Sequence, residues 1–164
     1  MTNRPSLRIL ASVALCLSLL IATAAARQIE AQGAGKANKP IKKLIHLEAG
    51  TTEPKANGIA KLLLKNKGKA KQDFMVVGAN LKASAIYHLF VNGVEIDSQM
   101  AEPEQGEGEG SAAVVFHYAS NAKPDNDEGI QPLPDALNPV TNARLVEIKD
   151  DSGVVVLSGE FPAS

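Results

Sequence analysis

The chain has 164 residues, with 17 Lys and Arg, 18 Asp and Glu and a single cysteine, so an intrachain disulfide is excluded. Aromatic residues make up only 4% of it and tryptophan is missing, which argues against the aromatic platforms of a carbohydrate-cleaving cleft. The charge is uneven: Arg27 to Lys82 holds 12 Lys and Arg against 4 Asp and Glu (+8), whereas Ala83 to Ser164 holds 3 against 14 (−11). Pairing of strands from the two halves would set opposite charges face to face across a sheet. The alternative is a molecule with a basic end and an acidic end, suited to charged partners or head-to-tail association.

The first eight residues carry Arg4 and Arg8 and no acid, an apolar run follows from Ile9 to Ala22, and the run closes in Thr23-Ala24-Ala25-Ala26. That order is the one of a secretory signal peptide over residues 1–26, with the cut between Ala26 and Arg27 or, alternatively, after Ala24. Cys16 falls in the apolar run after Leu15, where a lipoprotein signal needs a small residue. Cleavage leaves 164 − 26 = 138 residues without a thiol, hence no thiolate metal site, no blue-copper centre and no cysteine nucleophile. The expected compartment is the periplasm or the outside of the cell.

Residues 27–42 are polar, rich in Ala, Gly and Lys and without a sustained period, and read as a flexible leader to a domain over 43–164. Leu44–Leu47 reads as a short strand. Gly58–Asn66 puts Ala60, Leu62 and Leu64 on one face and Lys61 and Lys65 on the other, and Lys71–Ala79 follows as its hairpin partner. Ile86–Val91 alternates Tyr87, Leu89 and Val91 against Ile86, His88 and Phe90. Asn92-Gly93 then predicts a type I′ hairpin into Val94–Ile96. An acidic, glycine-rich loop runs from Glu102 to Gly110. Ser111–Ala119 is apolar on both faces and reads as a central strand. Asn121–Asn142 is irregular, with four prolines and room for a helical turn near Pro134–Leu137. Arg144–Lys149 points Val146 and Ile148 inward, Asp150-Asp151-Ser152-Gly153 turns the chain, and a last strand sends Val155, Leu157 and Phe161 inward. About eight short strands predict an all-β domain: a single antiparallel β-sandwich, Ig-like in the broad sense, or a small barrel.

The remaining histidines, His46, His88 and His117, form no H-x-H pair and read as sheet-face side chains with hydrogen bonds or partial solvent contact. His88 and His117 become neighbours only if their strands pair. No G-x-S-x-G elbow is present, and Ser158 sits in the closing strand. Asp125, Asp127 and Glu128 offer oxygen ligands that suit weak Ca²⁺ binding without matching an EF-hand loop. Lys61, Lys65, Lys67, Lys69 and Lys71 have the odd spacing that places side chains on one face of a strand pair. Such a face guards a sheet edge, or docks polyanions such as envelope glycans. No aromatics are interleaved with it, which speaks against sequence-specific nucleic-acid recognition.

The strings Gly58-Ile59-Ala60-Lys61-Leu62, Tyr87-His88-Leu89-Phe90-Val91-Asn92-Gly93 and Asp150 to Phe161 (DDSGVVVLSGEF) resemble a recurrent β-domain of exported bacterial proteins. The resemblance covers about residues 44–164 and implies a fold and a compartment, and no activity. The first string is also distantly similar to the early strand of CHRD domains, whose H-I-H segment has no counterpart here. The expected function is that of an exported non-enzymatic β-domain with a structural or binding role, its partner an envelope protein or a polyanionic glycan. The alternatives are a Ca²⁺-dependent binding module using the acidic loops and a small hydrolase with a carboxylate site.

Overall fold

A computed structural model describes residues 39–65, 71–103, 111–122 and 129–163. Among them are ten strands: β1 (Ile41–Ala49), β2 (Asn57–Lys65), β3 (Lys71–Lys82), β4 (Ile86–Val91), β5 (Val94–Met100), β6 (Glu102–Pro103), β7 (Ser111–Ala119), β8 (Gln131–Pro132), β9 (Leu145–Asp150) and β10 (Val155–Glu160). They form one sheet in the order β5-β4-β9-β10-β1-β2-β3-β7-β6, with β8 attached to β7. All pairs are antiparallel except β7–β8.

The expected all-β antiparallel architecture is present, but two separate layers are not. Two stretches of chain each serve both sides of the core. Ile41 to Leu47 of β1 pair with β2, while Glu48 and Ala49 pair with β10. Val94 to Pro103 runs along β4 as β5, breaks at Ala101, and reaches β7 as β6. The two ends of the strand path are thus halves of one continuous segment, and the sheet is nearly closed and barrel-like rather than a sandwich.

Local chemistry accounts for most element bounds. At the β4–β5 turn, Asn92 (φ 53°) and Gly93 (φ 80°) both occupy the left-handed region that a type I′ turn requires. The Asn92 side chain does further work: its Oδ1 accepts the Arg144 and Leu145 N–H groups at 2.9 and 3.1 Å, and its Nδ2 donates to the Asn142 carbonyl. The turn is thereby fastened to the start of β9. Between β9 and β10, Asp150 Oδ1 accepts from the Ser152 hydroxyl at 2.6 Å and from the Val154 N–H at 2.9 Å. These bonds hold the Asp150 carboxyl below the usual carboxylate range. The long segment after β7 contains single 3₁₀ turns at Asp135–Leu137 and Val140–Asn142. Gln72 ties it to β3, donating to Asn138 Oδ1 at 2.8 Å and accepting the Val140 N–H at 2.8 Å.

Three readings of the sequence are corrected. Strand β1 starts at Ile41, inside the segment read as leader. An inward Lys43, whose Nζ reaches the Pro162 carbonyl at 2.7 Å, had broken its apolar alternation. The β10 ladder is irregular between Val155 and Leu157, so Val156 joins Leu157 in the core and Val155 is only half-buried. The two-residue strands β6 and β8 lie in stretches read as loop. Each contains a proline, and each pairs with an end of β7.

The interior is filled by side chains from both sides of the barrel. Phe74, Val76, Tyr118 and Phe116 on β3 and β7 meet Tyr87, Leu89, Ile148 and Leu157 on β4, β9 and β10, all at 1% exposure or less. Leu157 is seated by a cross-strand glycine pair. Gly58 and Gly78 face each other on β2 and β3, and a Cβ on either would press on the Leu157 Cδ1 at 3.1 to 3.2 Å. The chain's two tyrosines lie wholly in this core, and their hydroxyls bridge the two sides. Tyr87 on β4 donates to Glu53 Oε1, in the β1–β2 connection, at 2.6 Å. Tyr118 on β7 donates to Asp97 Oδ2, on β5, at 3.0 Å. Burial, reinforced by the neighbouring carboxylates, pushes both phenols above their ordinary value. Among the described residues no buried side-chain polar atom is left without a partner.

Candidate functional site

Register assigns every strand side chain to the interior or to the surface, and it sorts the charges. On β1, β2, β3 and β7 the outward rows are His46-Ile59-Val77-Val115, then Leu44-Lys61-Met75-His117, then Lys42-Leu63-Asp73-Ala119, and finally Lys65-Lys71 at the hairpin end. Apolar side chains are numerous on this outer side: Leu44 is 49% exposed, Ile59, Leu63, Met75 and Val115 are half-buried, and Val77 is buried. Its charges are mostly positive, with Lys42, Lys61, Lys65 and Lys71 against Asp73, and Lys82 against Glu102 at the far edge.

The predicted lysine face is therefore real for Lys61, Lys65 and Lys71, while Lys67 and Lys69 lie outside the described residues. Lys65 and Lys71 are direct cross-strand partners, and like charges in that position repel. Neither is engaged in an ion pair within the described residues. Asp73 is held by His117, whose Nε2 lies 3.2 Å from Asp73 Oδ2. That hydrogen bond, assisted by the charges of Lys61 and Lys65 and opposed by burial, keeps the Asp73 carboxyl below its ordinary value. The face thus combines apolar side chains with cations.

The opposite outer face, on β5, β4, β9 and β10 and the end of β1, is acidic. Its outward residues include Glu95, Glu147, Glu160 and Glu48, with Lys149 as the strand cation. His88 sits between two acids, with Nδ1 2.7 Å from Glu95 and Nε2 3.3 Å from Asp151. The Glu95 hydrogen bond above all raises its pKa. Lys149 lies 4.4 Å above the Phe90 ring and 3.3 Å from Glu147. Glu48 and Glu160 line an open depression of about 480 Å³ with His46, Leu145 and Ser158. A second, of about 460 Å³, lies between Ile41, Leu64, Thr141 and Arg144. Burial and the nearby Arg144 together hold the Lys43 ammonium, in the same seam, below the usual lysine value.

Opposite charges therefore do not face each other across the sheet. The seams that join the chain's two halves pair Glu48 with Ser158, Asp73 with Ala119 and Lys82 with Ser111. His88 and His117 are on strands that do not pair, and each binds carboxylates instead. Among the described residues no group of three or more His, Cys, Asp or Glu could hold a metal ion. The proposed Ca²⁺ ligands Asp125, Asp127 and Glu128 lie outside the described residues, as do Ala26 and Arg27 at the expected cleavage site. The apolar component of the basic face was missed in the sequence, although Ile59 and Leu63, interleaved with Ala60, Leu62 and Leu64, already mark β2 as apolar on both sides. In comparisons with protein-family models, with curated proteins and with solved structures, no match to the chain was found.

Proposed function

We propose that the protein is an exported, non-enzymatic binding module whose working surface is the outer face of β1, β2, β3 and β7, and that its partner is acidic. The observation that carries this reading is the convergence on one sheet face of Lys42, Lys61, Lys65 and Lys71 with the exposed Leu44 and the half-buried Ile59, Leu63 and Met75. Cations outside any ion pair among the described residues, set among apolar side chains, gain both counterion release and apolar burial when an acidic surface covers them. The filled interior supports a role on the surface rather than in the lumen. Export rests on the order of basic, apolar and small-residue segments over residues 1–26.

Retention on a heparin column is the direct test. The protein should bind at low salt and elute as the salt rises, and the Lys61→Glu/Lys65→Glu variant should pass through at low salt. Equal retention of the variant and the parent would refute the reading.

A further inference from the structure

We infer that the acidic partner of the basic face is the acidic face of a second copy of this chain, so that the protein associates head to tail. The inference rests on the docking face proposed above and names what covers it. The two surfaces are complementary and are carried by the same molecule. One presents Lys42, Lys61, Lys65 and Lys71 with a single acid among them. The other presents Glu48, Glu95 and Glu160, with Glu147, 15% exposed, held by the strand cation Lys149. Apolar side chains accompany both: Leu44, 49% exposed, on the basic face, and the cross-strand pair Ile86 and Met100, 39% and 59% exposed, on the acidic one.

Like-on-like contact between copies is disfavoured, because it would set the lysines of one basic face against those of the other, and carboxylates against carboxylates on the acidic face. The contact inferred is therefore basic to acidic, and its repetition from copy to copy is heterologous. The net charge is small, −1 for the whole chain and −3 (−1 − 2) once Arg4 and Arg8 are removed with residues 1–26, so overall repulsion between copies is weak. Glu48 and Glu160 supply an acceptor: both are exposed, both line the same depression, and neither is in an ion pair among the described residues.

Sedimentation velocity on the purified protein tests this. At low salt the average mass should rise with protein concentration, and it should return to the monomer near 1 M salt, where charges are screened within about 3 Å. The Lys61→Glu/Lys65→Glu and Glu48→Lys/Glu160→Lys variants should each associate about tenfold more weakly or worse. An equimolar mixture of the two should regain a complex that neither forms alone, because each retains the face the other has lost. Recovery in the mixture also shows that both variants are folded. A parent that stays monomeric at low salt, a variant that associates as the parent does, or a mixture that fails to recombine overturns the inference. If the parent is monomeric but heparin retention still depends on Lys61 and Lys65, the docking face stands and its partner is not a second copy. If retention is indifferent to those lysines as well, both proposals fall.

Discussion

The two outer faces of the barrel are built on the same interior and handle charge in opposite ways. On the β5-β4-β9-β10 side most charged groups engage one another: His88 with Glu95 and Asp151, and Lys149 with Glu147 and the Phe90 ring. On the β1-β2-β3-β7 side His117 takes up Asp73, and the lysines stand among apolar side chains without an ion pair in the described residues. The difference teaches that local satisfaction and availability are traded against each other on a sheet surface. Groups already hydrogen-bonded steady the fold by small amounts, and groups left over are the ones that can recognise something else.

Because both faces rest on one core, the largest perturbation should leave the contrast between them intact. Leu157→Ala empties the seat made by Gly58 and Gly78 and should cost about 2–5 kcal/mol, read from the denaturant midpoint. Below its unfolding temperature the variant should still be retained by heparin as the parent is. Loss of retention in a folded variant would show that the basic face depends on core geometry.

A smaller effect should come from the two bonds that tie the sides together. Tyr118→Phe removes the donor to Asp97, which keeps Gln131 Nε2 at 3.1 Å, and Tyr87→Phe removes the donor to Glu53, which keeps the Lys82 N–H at 3.1 Å. Each should lose about 1–3 kcal/mol in chemical denaturation, since the surviving bond compensates only in part. A loss near zero for both would mean that the two sides are joined by packing alone.

The smallest effect sharpens the contrast most directly. His88 titrates above the ordinary histidine value because its charged form is hydrogen-bonded to Glu95. Its contribution to stability is therefore fully present below about pH 6.5, the unfolded value, and is lost as pH rises through the raised folded value. NMR titration should place the imidazole above 6.5, and Glu95→Gln should bring it down. A thermal midpoint that does not fall across that window, or falls equally in Glu95→Gln, would remove His88 from the account.

Strands β4 and β7 were readable to the residue, β4 from the alternation of Tyr87, Leu89 and Val91 and β7 as a run apolar on both faces from Ser111 to Ala119. The Asn92-Gly93 turn was equally local. What remained hidden depends on register or on distant partners. Glu53 lies 34 residues from the tyrosine it binds, in a connection with no periodicity, so nothing near either residue announces the pair. The β10 irregularity moved Val155 out of the inward row, and no alternation rule contains an extra residue. The lysine spacing pointed to one face, but only the β1–β2–β3 register shows that Leu44, Leu63 and Met75 share it. The sorting of acids and bases onto opposite sides is likewise a property of strand order, which pairs β1 with β10 across more than a hundred residues of sequence.

The seam between β1 and β10 has a mechanical meaning. Only Glu48 and Ala49 of β1 are laddered to β10, while near the other end the Lys43 side chain reaches across to the Pro162 carbonyl. Lys39 and Pro162 thus leave the barrel at the same end of two antiparallel neighbours. Tension applied between them would open this seam as a zipper, loading the Lys43 bond first and the ladder pairs one after another, instead of shearing them together. The barrel should yield at low force when pulled through these two points and resist better when Asn57 and Lys71 are pulled in opposite directions along β2 and β3, which shears their nine unbroken register pairs together.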